Sequence, residues 1–124
     1  MQGAADQVIL AVDDSASMRQ MVRYTLEAAG YKVVQAADGV EALEFARSGA
    51  ADLVLTDVNM PRMDGLTLVR ELRALEGYRF TPMLVLTTEA GPEAKQRGKQ
   101  AGATGWIVKP FSPEQLLATI ARVL

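Results

Sequence analysis

Short apolar runs alternating with helical patterns predict an α/β protein built on a five-stranded parallel sheet with five flanking helices. Three observations carry this expectation. The runs at 8–12, 33–36, 53–56, 83–86 and 106–108 have the length of strands. Several of them are apolar without alternation, as expected of strands covered on both faces. A helical segment follows each run, and five βα units in succession imply parallel strands joined by right-handed crossovers.

The helices follow from spacing and caps. After the first strand, Met18, Met21, Val22, Thr25, Leu26 and Ala29 recur at helical intervals, and Gly30 stops that helix. After the second, Asp38 can cap a helix running to about Ser48. Leu68, Val69, Leu72 and Leu75 stripe a third. The fourth reads Gly91-Pro92-Glu93-Ala94-Lys95-Gln96-Arg97-Gly98-Lys99-Gln100. It lacks an apolar stripe and holds an internal glycine, worth roughly 1 kcal/mol against helix relative to alanine. The last opens with Ser112, has Pro113 in its first turn and Gln115 three residues after the cap. Its expected apolar face is Leu116, Leu117, Ile120 and Leu124.

Composition narrows the chemistry. With 124 residues, 49% of them hydrophobic, the chain suits one domain with a full core, expected to fill residues 1–124. No apolar run approaches the roughly 20 residues that span a bilayer. Residues 1–7 carry no basic stretch followed by an apolar one, so no secretory signal is read and a cytoplasmic location is expected. Cysteine and histidine are both absent, which leaves carboxylates, hydroxyls and lysine to do any chemistry. Net charge is −2, divided as −5 over residues 1–89 and +3 over residues 90–124. The acidic whole argues against nucleic acid as a ligand, while the basic final third could face an acidic protein partner.

In parallel sheets of this kind, function collects where loops leave the C-terminal strand ends. The first strand ends in Asp13-Asp14, the third in Asp57, the fourth in Thr87-Thr88 and the fifth in Lys109-Pro110. Each alone has an ordinary explanation as a turn former, a strand residue or a surface charge. Together they place three carboxylates at one sheet edge, and that repulsion requires a cation or protons to offset it. Hard oxygen ligands without histidine or cysteine favour Mg²⁺ over zinc. Three aspartates and one lysine sum to −2, which one Mg²⁺ neutralises.

The stretch Val12-Asp13-Asp14-Ser15 resembles the opening acidic motif of response-regulator receiver domains. Asp57-Val58-Asn59-Met60-Pro61-Arg62-Met63-Asp64-Gly65 resembles the loop around their phosphoacceptor. Thr87 and Lys109-Pro110-Phe111 match their two remaining signatures. The likeness is greatest to the stand-alone chemotaxis regulators, through Ser15-Ala16-Ser17-Met18-Arg19 and Glu89-Ala90. The resemblance implies a flavodoxin-like sheet in the order 2-1-3-4-5. It implies that Asp57 is a nucleophile accepting a phosphoryl group, and that Asp14, Asp57 and the main-chain carbonyl of Asn59 bind Mg²⁺, with Asp13 acting through water. Lys109, held by a cis Lys109–Pro110 bond, and Thr87 would each take a phosphoryl oxygen. Trp106 stands where the family's switch aromatic moves from exposed to buried, and is expected mostly outward in the inactive protein. Asn59 and Glu89 would border the path of attacking water and so tune the phosphoryl lifetime.

The same resemblance implies a protein that catalyses only its own phosphorylation and dephosphorylation. The donor is expected to be phosphohistidine on a sensor histidine kinase. Output is expected through binding of another protein, such as a flagellar motor switch, by the fourth helix, fifth strand and fifth helix. No output domain, no nucleic-acid or membrane partner and a monomeric state are expected. Three other readings remain: a phosphate sink for a shared kinase, a phosphohydrolase with an aspartate nucleophile, and a non-phosphorylated scaffold. The hydrolase reading is disfavoured because such enzymes usually place a second acid two residues after a first-strand nucleophile, where this chain has Ser15 after Asp13.

Overall fold

The computed structural model describes residues 7–89 and 91–124. The signal reading of the first residues, Gln7 apart, and the Ala90 half of Glu89-Ala90 therefore lie outside the described residues. The elements alternate throughout: β1 (Val8–Val12), α1 (Ala16–Ala28), β2 (Lys32–Ala36), α2 (Gly39–Ser48), β3 (Leu53–Asp57), α3 (Gly65–Arg73), β4 (Met83–Thr87), α4 (Pro92–Ala101), β5 (Gly105–Val108) and α5 (Pro113–Val123). All strand pairs are parallel and the sheet order is β2-β1-β3-β4-β5, as expected.

The continuous apolar runs sit where the sheet is covered twice. Every residue of β3 and β4 is buried. The alternation of side chains along a strand divides the core into two layers. Leu10, Val12, Val54, Met83 and Val85 face α2 and α3 on one side, meeting Leu43, Leu68, Val69 and Leu72. Ile9, Ala11, Leu53, Leu55, Leu84 and Leu86 face α1 and α5 on the other, meeting Val22, Leu26, Leu116 and Ile120. Edge strand β2 exposes Lys32 and Gln35, the polar decoration that discourages further strand pairing.

The caps read from sequence at Asp38 and Ser112 are present, and Ser15 caps α1 as well. Ser15, Asp38 and Ser112 each accept a hydrogen bond from the first turn of their helix, and Ser112 with Gln115 completes a capping box. Gly30 follows α1 at φ 99°, a conformation suited to glycine. Four details differ from expectation. Helix α3 ends at Arg73, so Leu75 lies beyond it and begins a short 3-10 turn, Glu76–Tyr78. Leu124 is 39% exposed because α5 ends at Val123, and Ala29 is exposed as the residue closing α1. Strands β2 and β5 each begin one residue early. Finally, strands β3 and β4 run one residue beyond the apolar runs 53–56 and 83–86, to Asp57 and Thr87.

Two glycines separate packing from propensity. A Cβ on Gly65 would lie 2.0 Å from the carbonyl oxygen of Asp57, so the start of α3 requires glycine to approach β3. A Cβ on Gly98, inside α4, would meet only the Cβ of Ala103 at 4.0 Å. Gly98→Ala should therefore stabilise the protein by up to about 1 kcal/mol through helix propensity. Gly65→Ala should destabilise it by several-fold more through displacement of backbone, placing it among the severe single substitutions. Urea unfolding of both variants measures the contrast, and equal effects would contradict it.

Candidate functional site

Strand register assembles the site. Between β1 and β3 the strand order reverses, which opens a crevice at their C-terminal ends. Val12 pairs with Thr56, so the next residues, Asp13 and Asp57, fall side by side. Asp57 pairs with Leu86 and Thr87 with Val108, which brings Thr87 and Lys109 to the same edge. The Lys109 N–H donates to the Thr87 carbonyl at 2.7 Å, joining those two strand ends beyond the ladder. The Lys109–Pro110 peptide bond is cis.

The electrostatics are those of a crowded, partly dry acid cluster. Asp13 is 4% and Asp57 8% exposed, whereas Asp14 is open to solvent. Carboxylate oxygens of all three lie within 4.8 Å of one another. Asp57 Oδ1 accepts from the Val58 N–H at 3.0 Å and from Lys109 Nζ at 3.1 Å. Asp13 Oδ1 accepts from the Ser15 N–H at 2.9 Å. Asp13 Oδ2 is buried without a hydrogen-bond partner, and Lys109 Nζ stands 3.7 Å away. Burial pushes the Asp13 carboxyl above its ordinary value of 3.8, and the Asp57 charge pushes the same way. The Ser15 N–H and Lys109 oppose them.

A buried, orphaned carboxylate oxygen beside two further carboxylates is a donor set that a hard divalent cation satisfies. One Mg²⁺ would use few of these oxygens and keep several waters. Asp13, Asp14 and Asp57 thus fit the ion in charge, ligand type and spacing.

The other predicted residues take distinct places. Thr87 is buried at the end of β4, and its hydroxyl oxygen accepts from the Glu89 N–H at 3.0 Å, which leaves its own O–H free to donate. Thr88 is exposed beyond the strand. Asn59 is exposed in the loop after β3. Glu89 is drawn to α4, where Arg97 Nη2 donates to Glu89 Oε1 at 2.7 Å. Trp106 pairs in register with Val85 and is half-buried against the core rather than mostly outward. Lys95 Nζ lies 5.2 Å from its ring centroid. A cavity of about 20 Å³ sits between Trp106, Thr87, Val58, Leu66 and Gly98, room for one water and not for an indole.

Three arginines at the loops escaped the sequence reading. Arg19 Nη1 donates to the Asp13 carbonyl at 2.6 Å, Arg62 binds Asp38, and Arg73 gathers the carbonyls of Tyr78, Thr81 and Gly102. Arg19 and Arg62 both stand within motif stretches that carry the resemblance, with no role expected of either. The pairings of Arg62 and Arg73 reach across 24 or more residues to Asp38, Gly102 and Thr104, and left no local signal.

Comparison with known proteins agrees with this arrangement. The chemotaxis response regulator CheY4 of Vibrio cholerae has a solved structure that superposes with a TM-score of 0.92 at 57% identity, covering 95% of this chain and 98% of that one. Chemotaxis protein CheY1 of Helicobacter pylori is 42% identical over 118 residues, 94% of this chain and 95% of its own length. The receiver domain of sensor histidine kinase PA1611 from Pseudomonas aeruginosa, whose structure has a magnesium ion coordinated in the active site cleft, superposes with a TM-score of 0.86 at 33% identity over 94% of this chain and 95% of that one. Other curated relatives are longer: the chain spans 15% of one and 50% of another. The sequence model of the response regulator receiver domain matches residues 9–121, and this chain belongs to that family.

Proposed function

We infer that this chain is a phosphorylation-set switch in which Asp57 carries the phosphoryl group. The observation that carries the reading is the pairing of Asp57 Oδ1 with Lys109 at 3.1 Å beside the orphaned Oδ2 of Asp13. With Oδ1 holding both hydrogen bonds, Asp57 Oδ2 is the oxygen free to attack. Its lone pair attacks the phosphorus of a phosphohistidine on a sensor kinase. The P–N bond breaks, its electron pair returns to the donor imidazole, and Asp57 becomes an acyl phosphate. Asp14, Asp57 and the Asn59 carbonyl would hold Mg²⁺, with Asp13 acting through water, and the ion would supply charge neutralisation at the phosphoryl oxygens. The magnesium-bearing PA1611 receiver supports this assignment.

The remaining side chains divide the work. Lys109 moves its ion pair from the carboxylate to a phosphoryl oxygen, and Thr87 donates its hydroxyl proton to another. Attack of water on phosphorus breaks the bond to Asp57 and returns the carboxylate, on a path bordered by Asn59 and Glu89. The chain acts on no outside substrate with turnover. Output passes to a protein partner, such as a flagellar motor switch, through α4, β5 and α5. The exposed Lys95, Arg97 and Lys99 suit an acidic partner. The chain works as a cytoplasmic monomer. Its likeness over nearly full length to two single-chain chemotaxis regulators supports these choices.

Three measurements test this reading. Acetyl phosphate with Mg²⁺ should add one phosphoryl group, seen by intact-mass spectrometry, and Asp57→Asn should take none. Full labelling of that variant would end the assignment.

Asp13→Asn should weaken Mg²⁺ binding yet stabilise the metal-free fold at neutral pH, because it removes a buried charge repelled by Asp57. The sign follows from the raised carboxyl. Relative to the unfolded chain, the native state prefers Asp13 protonated, so the parent loses stability as pH rises above 3.8 and through the higher native value. The advantage of the asparagine variant should thus be full at neutral pH and vanish below 3.8. Thermal unfolding across that range reads it, and a pH-independent difference would contradict it.

The single Trp106 reports the switch. Mg²⁺ alone should change its fluorescence little, because Val58 and not a tryptophan adjoins Asp57. Mg²⁺ with beryllofluoride should shift its emission, and Thr87→Ala should weaken that shift. A spectrum unmoved while Asp57 is occupied would remove Trp106 from the switch.

A further inference from the structure

The loop leaving β3 is fastened in a way the chemistry above does not use. Its base is closed by the Gly65 N–H donating to the Val58 carbonyl at 2.8 Å. Near its tip Arg62 adopts φ 68°, a left-handed conformation that a long side chain seldom takes and that persists where the surroundings impose it. Those surroundings lie across the crevice at the start of α2. Arg62 Nε and Nη2 donate to Asp38 Oδ2 at 3.0 and 2.7 Å. Asp38 is 9% exposed, and its other oxygen caps α2 by accepting from the Glu41 N–H at 2.9 Å. The next residue, Met63, lies on Gly39, where an added Cβ would come within 2.8 Å of it. Two consecutive residues therefore pin the loop to the N-terminal end of α2. Asn59 sits between that pinned tip and the pinned base. The carboxylates of the cluster cannot fill an octahedral shell, and the main-chain carbonyls of this loop are oxygens immediately following Asp57.

We propose that Arg62 is a positioning residue for the metal site: its ion pair with Asp38 fixes the 58–64 loop and so the aim of the Asn59 carbonyl. This rests on the Mg²⁺ reading above. A positioning role and a merely electrostatic one differ in sign. By charge alone, losing Arg62 would tighten cation binding and losing the Asp38 charge would weaken it. By positioning, either loss weakens it. The Arg62 variants therefore decide between the two, and Asp38→Asn breaks the ion pair from the other side while keeping the cap, because asparagine caps a helix as well as aspartate does.

The experiment titrates MgCl₂ calorimetrically into the parent, Arg62→Ala, Asp38→Asn and the double variant, with thermal unfolding of each recorded in metal-free buffer. Each single variant should bind Mg²⁺ about tenfold more weakly, the low end for groups that orient a metal ligand. The double variant should be no weaker than either single one, since both break the same contact. Arg62→Asn, whose residue tolerates the left-handed backbone, keeps the test open if Arg62→Ala folds poorly, and should also bind weakly. Unchanged or tighter binding by Arg62→Ala or Arg62→Asn overturns the proposal and leaves the Mg²⁺ site standing. A parent that binds no Mg²⁺ overturns the metal reading and the proposal with it.

Discussion

Two aspartates on adjacent central strands cannot both be charged and dry without a cation, and the functional end of the molecule answers to that constraint. The register of β1 against β3 makes the neighbours unavoidable, because Val12 opposite Thr56 leaves Asp13 beside Asp57. The same strands form the centre of both core layers, so the carboxylates cannot drift apart without disturbing residues that are fully buried. Lys109 is the cation that meets both acids, and its own position depends on the Thr87 carbonyl. Acid pair, ammonium and hydroxyl are thus one mechanical unit. Removing the one cation from such a unit, Lys109, typically costs about 3–5 kcal/mol through the carboxylate charge left behind. A site of this kind is tense by construction, and a ligand that supplies the missing positive charge relaxes it.

The loops around that unit are tied by guanidinium groups rather than by apolar packing. Arg19 holds the carbonyl of Asp13 from α1, and Arg62 holds the loop after β3 from the start of α2. At the opposite end of the sheet, Arg73 donates to Tyr78, Thr81 and Gly102, joining α3, the segment before β4 and the end of α4. Burial lowers the pKa of Arg73, yet a guanidinium stays charged at any physiological pH. Its fixed fork of five donors suits several carbonyls at once, which a lysine ammonium matches poorly.

The contrast between what was and was not legible in the sequence follows from range. Strands, the caps at Asp38 and Ser112, and the acidic edge were readable, because periodicity and caps act within a few residues and the motifs stand at strand ends, whereas the sheet order came from the family resemblance. Leu75 and Leu124 were misplaced because spacing continues on paper where a helix has already ended. The burial of Tyr78, whose hydroxyl donates to the Gly49 carbonyl at 3.0 Å, depends on a partner 29 residues away. The pairing of Glu89 with Arg97, eight residues on, likewise has no local signature. Local rules found the chemistry. The ties that aim it come from tertiary contacts that no local pattern encodes.

Helix α4 is held by such ties more than by apolar packing. It buries only Gly98 and Ala101, so apolar packing holds it weakly. Its C-terminal end is secured by Gly102 at φ 104° and by Arg73 on the Gly102 carbonyl. Toward its N-terminal end, next to Thr87, the ties are Lys95 over Trp106 and Arg97 on Glu89. The Arg97 and Glu89 side chains are 54% and 63% exposed, and a contact of this kind is worth about 0.2–1 kcal/mol. An exposed cation over an indole contributes a similar amount, about 0.5–1 kcal/mol. Coupling free energies between sites typically run about 1–3 kcal/mol, the same scale as both ties together. The cavity beside Trp106 is too small for inward rotation while α4 stays in place. On the proposed reading, movement of Thr87 toward a phosphorylated Asp57 would be resisted at α4 by two weak polar contacts more than by apolar packing. On the same reading, an acidic partner that engaged Lys95 and Arg97 would compete with those two contacts, so partner binding and phosphoryl occupancy would draw on one weakly held element.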